Sequence, residues 1–271
     1  MKLGVRAHDY GRHEVNKLAD ILHSEGYRAA QVAIPRAFSE VDSLDDVTED
    51  LLYKIKEAFD RADIEISVLS CYQDLGNPNE EVRKNAVAIF KKCLGYAKIC
   101  GAKVVGTETS YAHLSKVEKH IWFPYMMESL KELRDEAERV DQWMAIEPVA
   151  WHPLEDVETT LEVINELDSN HVKVIFDMAN VLERPYEINQ IPYWNKCFDM
   201  LDPYIETIHL KDFTVGDNGE YIPKLLGEGL MDYSVFTKWL SKHKDMPVMR
   251  EEMDPSSATK DIAVMKRLGG M

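Results

Sequence analysis

Cysteine is scarce: the 271-residue chain has four. Cys71, Cys93, Cys100 and Cys197 form no CxxC pair, and Cys93 and Cys100 share the apolar face of one predicted helix, where reduced core thiols are common. A disulfide-free, cytoplasmic protein is expected. Long apolar runs are missing too. None approaches the ~18 residues of a membrane span, so no membrane partner is expected. The opening MKLGVRAHDYG lacks the apolar segment and small-residue cleavage site of a secretory signal. Neither GxGxxG nor GxxxxGKS/T follows any strand-like run, which argues against nucleotide binding. Basic residues are outnumbered, 32 Lys and Arg against 48 Asp and Glu, for a net charge of −16. With no large basic cluster, such a chain repels a phosphate backbone, so nucleic acid is not an expected partner. No low-complexity stretch or Pro/Gly-rich linker divides the sequence, and residues 1–271 are expected to form a single domain.

What is present is alternation. Strand-like runs (KLGVRA, RAAQVAI, IEISVLS, AKVVGTE, WMAIE, VKVIFD, IETIHL, PVMRE) are separated by segments with helical spacing of apolar residues. The first helix carries Val15, Leu18, Ala19 and Leu22 on one face, the second Leu52, Ile55, Phe59 and Ala62. The third carries Val82, Ala86, Ile89, Phe90, Cys93 and Ala97 and stops at Gly101, as a helix-terminating glycine should. Later helices are expected around Met126–Val140, Val157–Ile164, within 187–201, from Asp232, and from Ser256 to Leu268. A polar loop is expected over 214–231. Eight strand–helix pairs predict an α/β protein with a parallel sheet closed into one (β/α)₈ TIM barrel. An open doubly wound sheet is the alternative.

Four residues end successive apolar runs: Glu147, Asp177, His209 and Glu251, at intervals of 30, 32 and 42 residues. A βαβ unit takes roughly 30 residues or more, so each falls at the C-terminal end of a successive strand, the end where barrel enzymes place their chemistry. Strand parity agrees. Ala145 shares a face with Glu147, Thr207 with His209 and Met249 with Glu251, while Met144, Ile146, Val174, Phe176, Ile208 and Leu210 face the other way. Choosing Glu252 in place of Glu251 would turn Arg250 into the barrel, whereas Glu251 leaves Arg250 outside with its stem along a helix. Three carboxylates and an imidazole make a site for one divalent ion. Mn²⁺ is the first choice, with Mg²⁺, Co²⁺ and Zn²⁺ also suited.

IEP at 146–148, FDMAN at 176–180, IHLKD at 208–212, LGEGLMDY at 226–233 and MPVMREEMDP near the end resemble, in order and spacing, the xylose isomerase-like superfamily of sugar phosphate isomerases and epimerases. The resemblance spans essentially the whole chain. It implies a metal-dependent isomerase or epimerase acting on a small carbohydrate or polyol ketone, with Glu147 and Glu251 both binding metal and exchanging protons on opposite faces of the substrate. It also implies a homo-oligomer formed through the barrel face. An inosose-type dehydratase, and a metal- or sugar-binding barrel without turnover, are the other readings. The histidines of the apurinic-endonuclease branch are missing: Asn180 stands after the sixth strand, and Ser70, Cys71 and Tyr72 end the third. No abasic-site cleavage is expected. Asn180 also departs from the ketohexose 3-epimerase pattern.

Other candidates follow from placement. Lys211 shares a face with His209 and should reach the mouth for a substrate oxygen, the alternative being an ion pair with Asp212. His152, Glu108, His8 and Arg184 lie just beyond strands and are candidate substrate contacts, Glu108 also for proton transfer and Arg184 for an anion. Trp122, Phe123 and Tyr125 either pack on the barrel or wall the pocket. Loop 214–231 offers Lys224 as its one obvious cation, so a non-phosphorylated or weakly anionic substrate is expected.

Overall fold

The computed structural model describes residues 1–183, 188–217 and 219–270. Its first strand, β1 (Lys2–Arg6), leads through a 3₁₀ turn into α1 (Val15–Glu25), which buries Val15, Leu18, Ala19 and Leu22 as their spacing requires. β2 (Ala29–Val32) is followed by a short α2 (Ile34–Ala37) and by α3 (Glu49–Arg61), and β3 (Glu65–Ser70) by the long α4 (Glu80–Cys100). Asn79 caps α4 by accepting the Glu81 and Val82 N–H groups, and Gly101, at φ +76°, ends it. β4 (Val104–Thr107), α5 (Lys116–Val140), β5 (Trp143–Ile146), α6 (Val157–Leu167), β6 (Val172–Asp177), α7 (Gln190–Leu201) and β7 (Ile205–Leu210) continue the alternation. Pro192 sits in the first turn of α7, where an N–H has no helical partner to lose.

Two departures follow. The stretch expected as loop contains an antiparallel hairpin, β8 (Asp212–Val215) with β9 (Tyr221–Lys224). Its second strand sets Tyr221 and Ile222 side by side before Pro223, so it lacks the alternation that would reveal it. Val82, assigned to the buried face of its helix, is 39% exposed. The chain closes with α8 (Ser234–Leu240), β10 (Pro247–Arg250) and α9 (Ala258–Leu268).

Eight parallel strands close in the order β1-β10-β7-β6-β5-β4-β3-β2, so the expected single TIM barrel forms and the open sheet does not. Side chains divide by parity. Val68, Val104, Ala145 and Ile175 fill the barrel interior, while Met144, Ile146, Val174, Phe176, Ile208 and Leu210 join the larger core beneath the helices. Gly106 is required inside: a Cβ there would lie 2.5 Å from Ile175 and 2.7 Å from Val68. A bulge between Val174 and Ile175 shifts the β6–β7 register so that Asp177 pairs beside His209. All four cysteines are buried and free. Among the described residues, no helix is long and apolar enough to cross a membrane.

Candidate metal centre

Barrel closure brings the four strand-end residues together. Glu147 follows β5, Asp177 ends β6, His209 lies in β7 and Glu251 follows β10. All are buried: 1% exposed for Glu147, 0% for Asp177 and His209, 4% for Glu251. Glu147, Asp177 and His209 each offer one ligand atom within 4.8 Å of the others. Nδ1 of His209 lies 3.1 Å from Oε1 of Glu251 and 3.3 Å from Oε1 of Glu147. Glu252 is exposed, with φ +54°, and stands at the edge of this group. Arg250 faces outward, where its Nε donates to Asp261 of α9 at 2.8 Å in a fully buried pair.

Lys211 occupies the centre. Its Nζ lies 3.1 Å from Asp177 Oδ2 and 3.2 Å from Glu251 Oε2, and donates to Asn180 Oδ1 at 3.0 Å. The alternative pairing with Asp212 does not form. Asp212 instead turns away and accepts the backbone N–H groups of Phe213, Gly227, Gly229 and Met231 at 2.8–3.2 Å. This cradle gives the LGEGLMDY run its structural reason, since a Cβ at Gly229 would lie 2.1 Å from Asp212 Oδ1.

Two residues that sequence reading noted only as departures hold Glu147. Asn180 Nδ2 donates to Oε1 at 2.7 Å, and the Tyr72 hydroxyl donates to Oε2 at 3.0 Å. Tyr72 in turn accepts from Nε2 of the buried Gln31 at 2.9 Å. Parity carried this signal, because Tyr72 stands two residues past Ser70 on the interior face. Asp177 Oδ1 accepts the N–H groups of Ala179 and Asn180, while Oδ2 faces the Lys211 ammonium.

The ionisation states fit a cation site. Burial pulls the His209 imidazole down, but the Glu251 and Glu147 carboxylates outweigh it and hold it up at about 9. Burial raises Glu251, yet His209, Lys211 and Arg6 bring it to about 2. Asp177, raised by burial against the pull of Lys211, stands at about 6. Burial likewise opposes the charge of Lys211, and Asp177 and Glu251 carry it well above its ordinary value. Three carboxylates thus converge on a proton held by His209 and on one ammonium. That proton is what a divalent ion displaces when an imidazole becomes a ligand. The cluster of Glu147, Asp177 and His209, with the Glu251 carboxylate 3.1 Å from the His209 ring, is a donor set that suits such an ion.

A cavity of about 480 Å³ opens onto this group, lined among others by His8, Tyr72, Glu108, Lys211 and Glu251, a size suited to a small ligand. His8 and Glu108 therefore lie where substrate contact was expected. His152 is buried behind Glu108, its Nδ1 3.7 Å from Oε2. Arg184 lies outside the described residues. Trp122, Phe123 and Tyr125 are half-buried on α5 and do not line this cavity; Phe123 packs on the core and Tyr125 under Arg83. Burial first, then the Glu147 charge, raises Glu108 to about 8. A cavity of about 520 Å³ at the opposite end of the barrel, among Lys2, Glu65 and Lys103, contains none of these groups.

No curated protein sequence matches the chain. Solved structures of the same fold include 3-keto-D-glucoside 4-epimerase from E. coli (15% identity, 98% of this chain and 99% of that one, TM-score 0.74). They also include the probable 3-DHS dehydratase AsbF from Bacillus anthracis (13%, 98% and 99%, 0.75) and the IOLI protein with a bound zinc atom (18%, 100% and 98%, 0.76). The family model described as xylose isomerase-like TIM barrel matches residues 19–268. That match covers the elements from α1 to α9 that carry and close the site, and by it the chain belongs to the xylose isomerase-like TIM barrel family.

Proposed function

We propose that this protein is a divalent-metal-dependent isomerase or epimerase of sugars, sugar phosphates or related polyol ketones, working by removal of the proton next to a carbonyl. The observation that carries the reading is the convergence of Glu147, Asp177, His209 and Glu251 at one buried point beside a cavity of about 480 Å³. These four side chains would hold the ion, with Mn²⁺ as first choice. When bound, it supplies Lewis-acid polarisation of a carbonyl and a template for the neighbouring hydroxyl. Glu147 and Glu251 are the carboxylates that take up and return the proton. Tyr72 and Asn180, one on each oxygen, fix the plane of the Glu147 carboxylate. Lys211 places a positive charge where the substrate's oxygens gain negative charge. The epimerase among the structures of this fold supports the reading.

Glu108 favours a second reading, dehydration. Its carboxyl, held up at about 8, carries a proton at neutral pH and lines the cavity. It would protonate a departing β-hydroxyl after proton removal next to the carbonyl. The dehydratase of similar fold belongs with this alternative.

Incubation of the Mn²⁺-loaded protein with ketoses, ketose phosphates and inososes in D₂O separates the readings. Isomerisation or epimerisation places deuterium beside the carbonyl in a product of unchanged composition. Dehydration gives a product lighter by one water. Glu147→Gln should slow exchange by about 10²- to 10⁴-fold. Ligand binding with neither reaction would leave a binding-only barrel, and full exchange in Glu147→Gln would remove Glu147 from the chemistry.

A further inference from the structure

Three cationic side chains line the cavity at the barrel mouth: Arg6, Arg36 and Lys211. Two are already committed. Lys211 is held between Asp177 and Glu251. Arg6 donates to Asp9 at 2.8 Å and faces Glu251 at 3.9 Å. Arg36 is different: its guanidinium makes no hydrogen bond and no ion pair with any described residue. It stands exposed on α2, whose first turn contains Pro35, in a chain with 48 acidic residues to choose from. Its charge reaches into the cavity, since burial, then Arg6, then Arg36 push His8 down to about 4.

The same wall holds unused hydrogen-bonding capacity deeper in. Gln31 is fully buried; its Nε2 donates to Ser70 and Tyr72, while Oε1 has no partner. Nδ1 of His8 is buried and also without a partner. Buried polar atoms are nearly always satisfied, so a free amide oxygen and a free ring nitrogen beside a cavity are groups that a ligand's hydroxyls would complete.

We propose that the ligand of this cavity is anionic, a polyol ketone whose terminal carboxylate or phosphate is bound by the guanidinium of Arg36 while its hydroxyls meet Gln31 and His8. The ketone rests on the functional reading above; the anion does not. A planar guanidinium pairs with either oxyanion through two parallel N–H donors. The sequence pointed towards a non-phosphorylated or weakly anionic substrate because loop 214–231 offers Lys224 as its one obvious cation. The free cation comes instead from the segment after β2.

Calorimetry on the Mn²⁺-loaded full chain at fixed ionic strength, with D-fructose, D-fructose 6-phosphate and D-fructuronate as probes, tests this. At least one anionic probe should bind about tenfold or more tightly than fructose, a gap of about 1.4 kcal/mol, and the preferred one identifies the oxyanion. Arg36→Met should remove the preference while leaving fructose affinity unchanged, and Arg36→Lys should keep part of it. Equal affinity for all three probes in the wild type, or equal weakening of all three in Arg36→Met, overturns the proposal. A ketone-independent arm uses thermal stabilisation by sulfate and by acetate. If no ketone probe binds but a small anion stabilises only the wild type, the polyol-ketone reading fails and the Arg36 site stands. No difference between wild type and Arg36→Met towards any of the five probes overturns the anion site.

Discussion

Glu147 is hydrogen-bonded on both carboxylate oxygens, Oε1 to Asn180 and His209 and Oε2 to Tyr72, and these decide where its lone pairs point. Burial and the Glu147 and Glu251 charges raise the Tyr72 hydroxyl well above its ordinary value, so it remains a neutral donor across the working pH range. Groups that orient metal ligands typically contribute 10- to 100-fold in metal affinity or activity. Tyr72→Phe should therefore weaken Mn²⁺ binding by about tenfold or more in a calorimetric titration. Affinity equal to wild type would show that Glu147 is oriented without Tyr72. Asn180, met in the sequence as a missing histidine, links Glu147 to Lys211 through its two amide atoms. Its identity was legible and its partners were not, because they lie on other strands.

At the scale of elements, the outward turn of Arg250 fixes the inward turn of Glu251, since successive strand residues face opposite ways. The pair with Asp261 ties β10 to α9, and Asp261 also accepts the Leu226 N–H. Both side chains are buried, so removing one partner leaves an uncompensated charge. Asp261→Ala should cost about 3–5 kcal/mol in urea unfolding. The double variant Arg250→Met, Asp261→Leu should lie closer to wild type than either single change. A single variant as stable as wild type would mean that the pair does not hold β10 in register. The β8–β9 hairpin is the element that periodicity missed. Its β9 residues are all exposed and place Tyr221 and Ile222 side by side, so no apolar alternation marks that strand, and Asp212 organises the loop that follows through four backbone N–H groups.

For the whole molecule, acid sensitivity is built into the mouth of the barrel. His8, lowered by burial and by Arg6, and His152, lowered by burial against the pull of Glu147, both stand at about 4 against an ordinary 6.5. Between those values the unfolded chain binds protons that the folded chain refuses. The contribution of these two histidines is therefore fully present above pH 6.5 and is lost as pH falls towards 4, while Glu108 and Asp177, raised to about 8 and about 6, act in the opposite sense. Urea midpoints measured across that window should fall more steeply for wild type than for the His8→Asn, His152→Asn double variant. Identical slopes would place the acid sensitivity in other groups.

The alternation of barrel strands and helices along the chain and the division of side chains between interior and helix-facing core were determined by sequence alone, because periodicity and parity are local properties of a chain, whereas closure into a barrel in place of an open sheet was decided by the tertiary structure. The placement of Glu147, Asp177, His209 and Glu251 at successive strand ends was legible there too, since each occupies the same position in its own repeat, and parity favoured Glu251 over Glu252. Tertiary structure decided the rest. Lys211 had two readings in sequence, and only closure of β7 against β6 and β10 brought it to Asp177 and Glu251 while the backbone cradle removed Asp212. Tyr72, Gln31 and Arg36 reach the cavity from the segment after β3, from β2 and from α2, the far side of the barrel from the strands that carry Glu147, Asp177, His209 and Glu251. Which side chains meet across a closed sheet depends on strand order, register and bulges, and these are set by contacts between residues far apart in the chain.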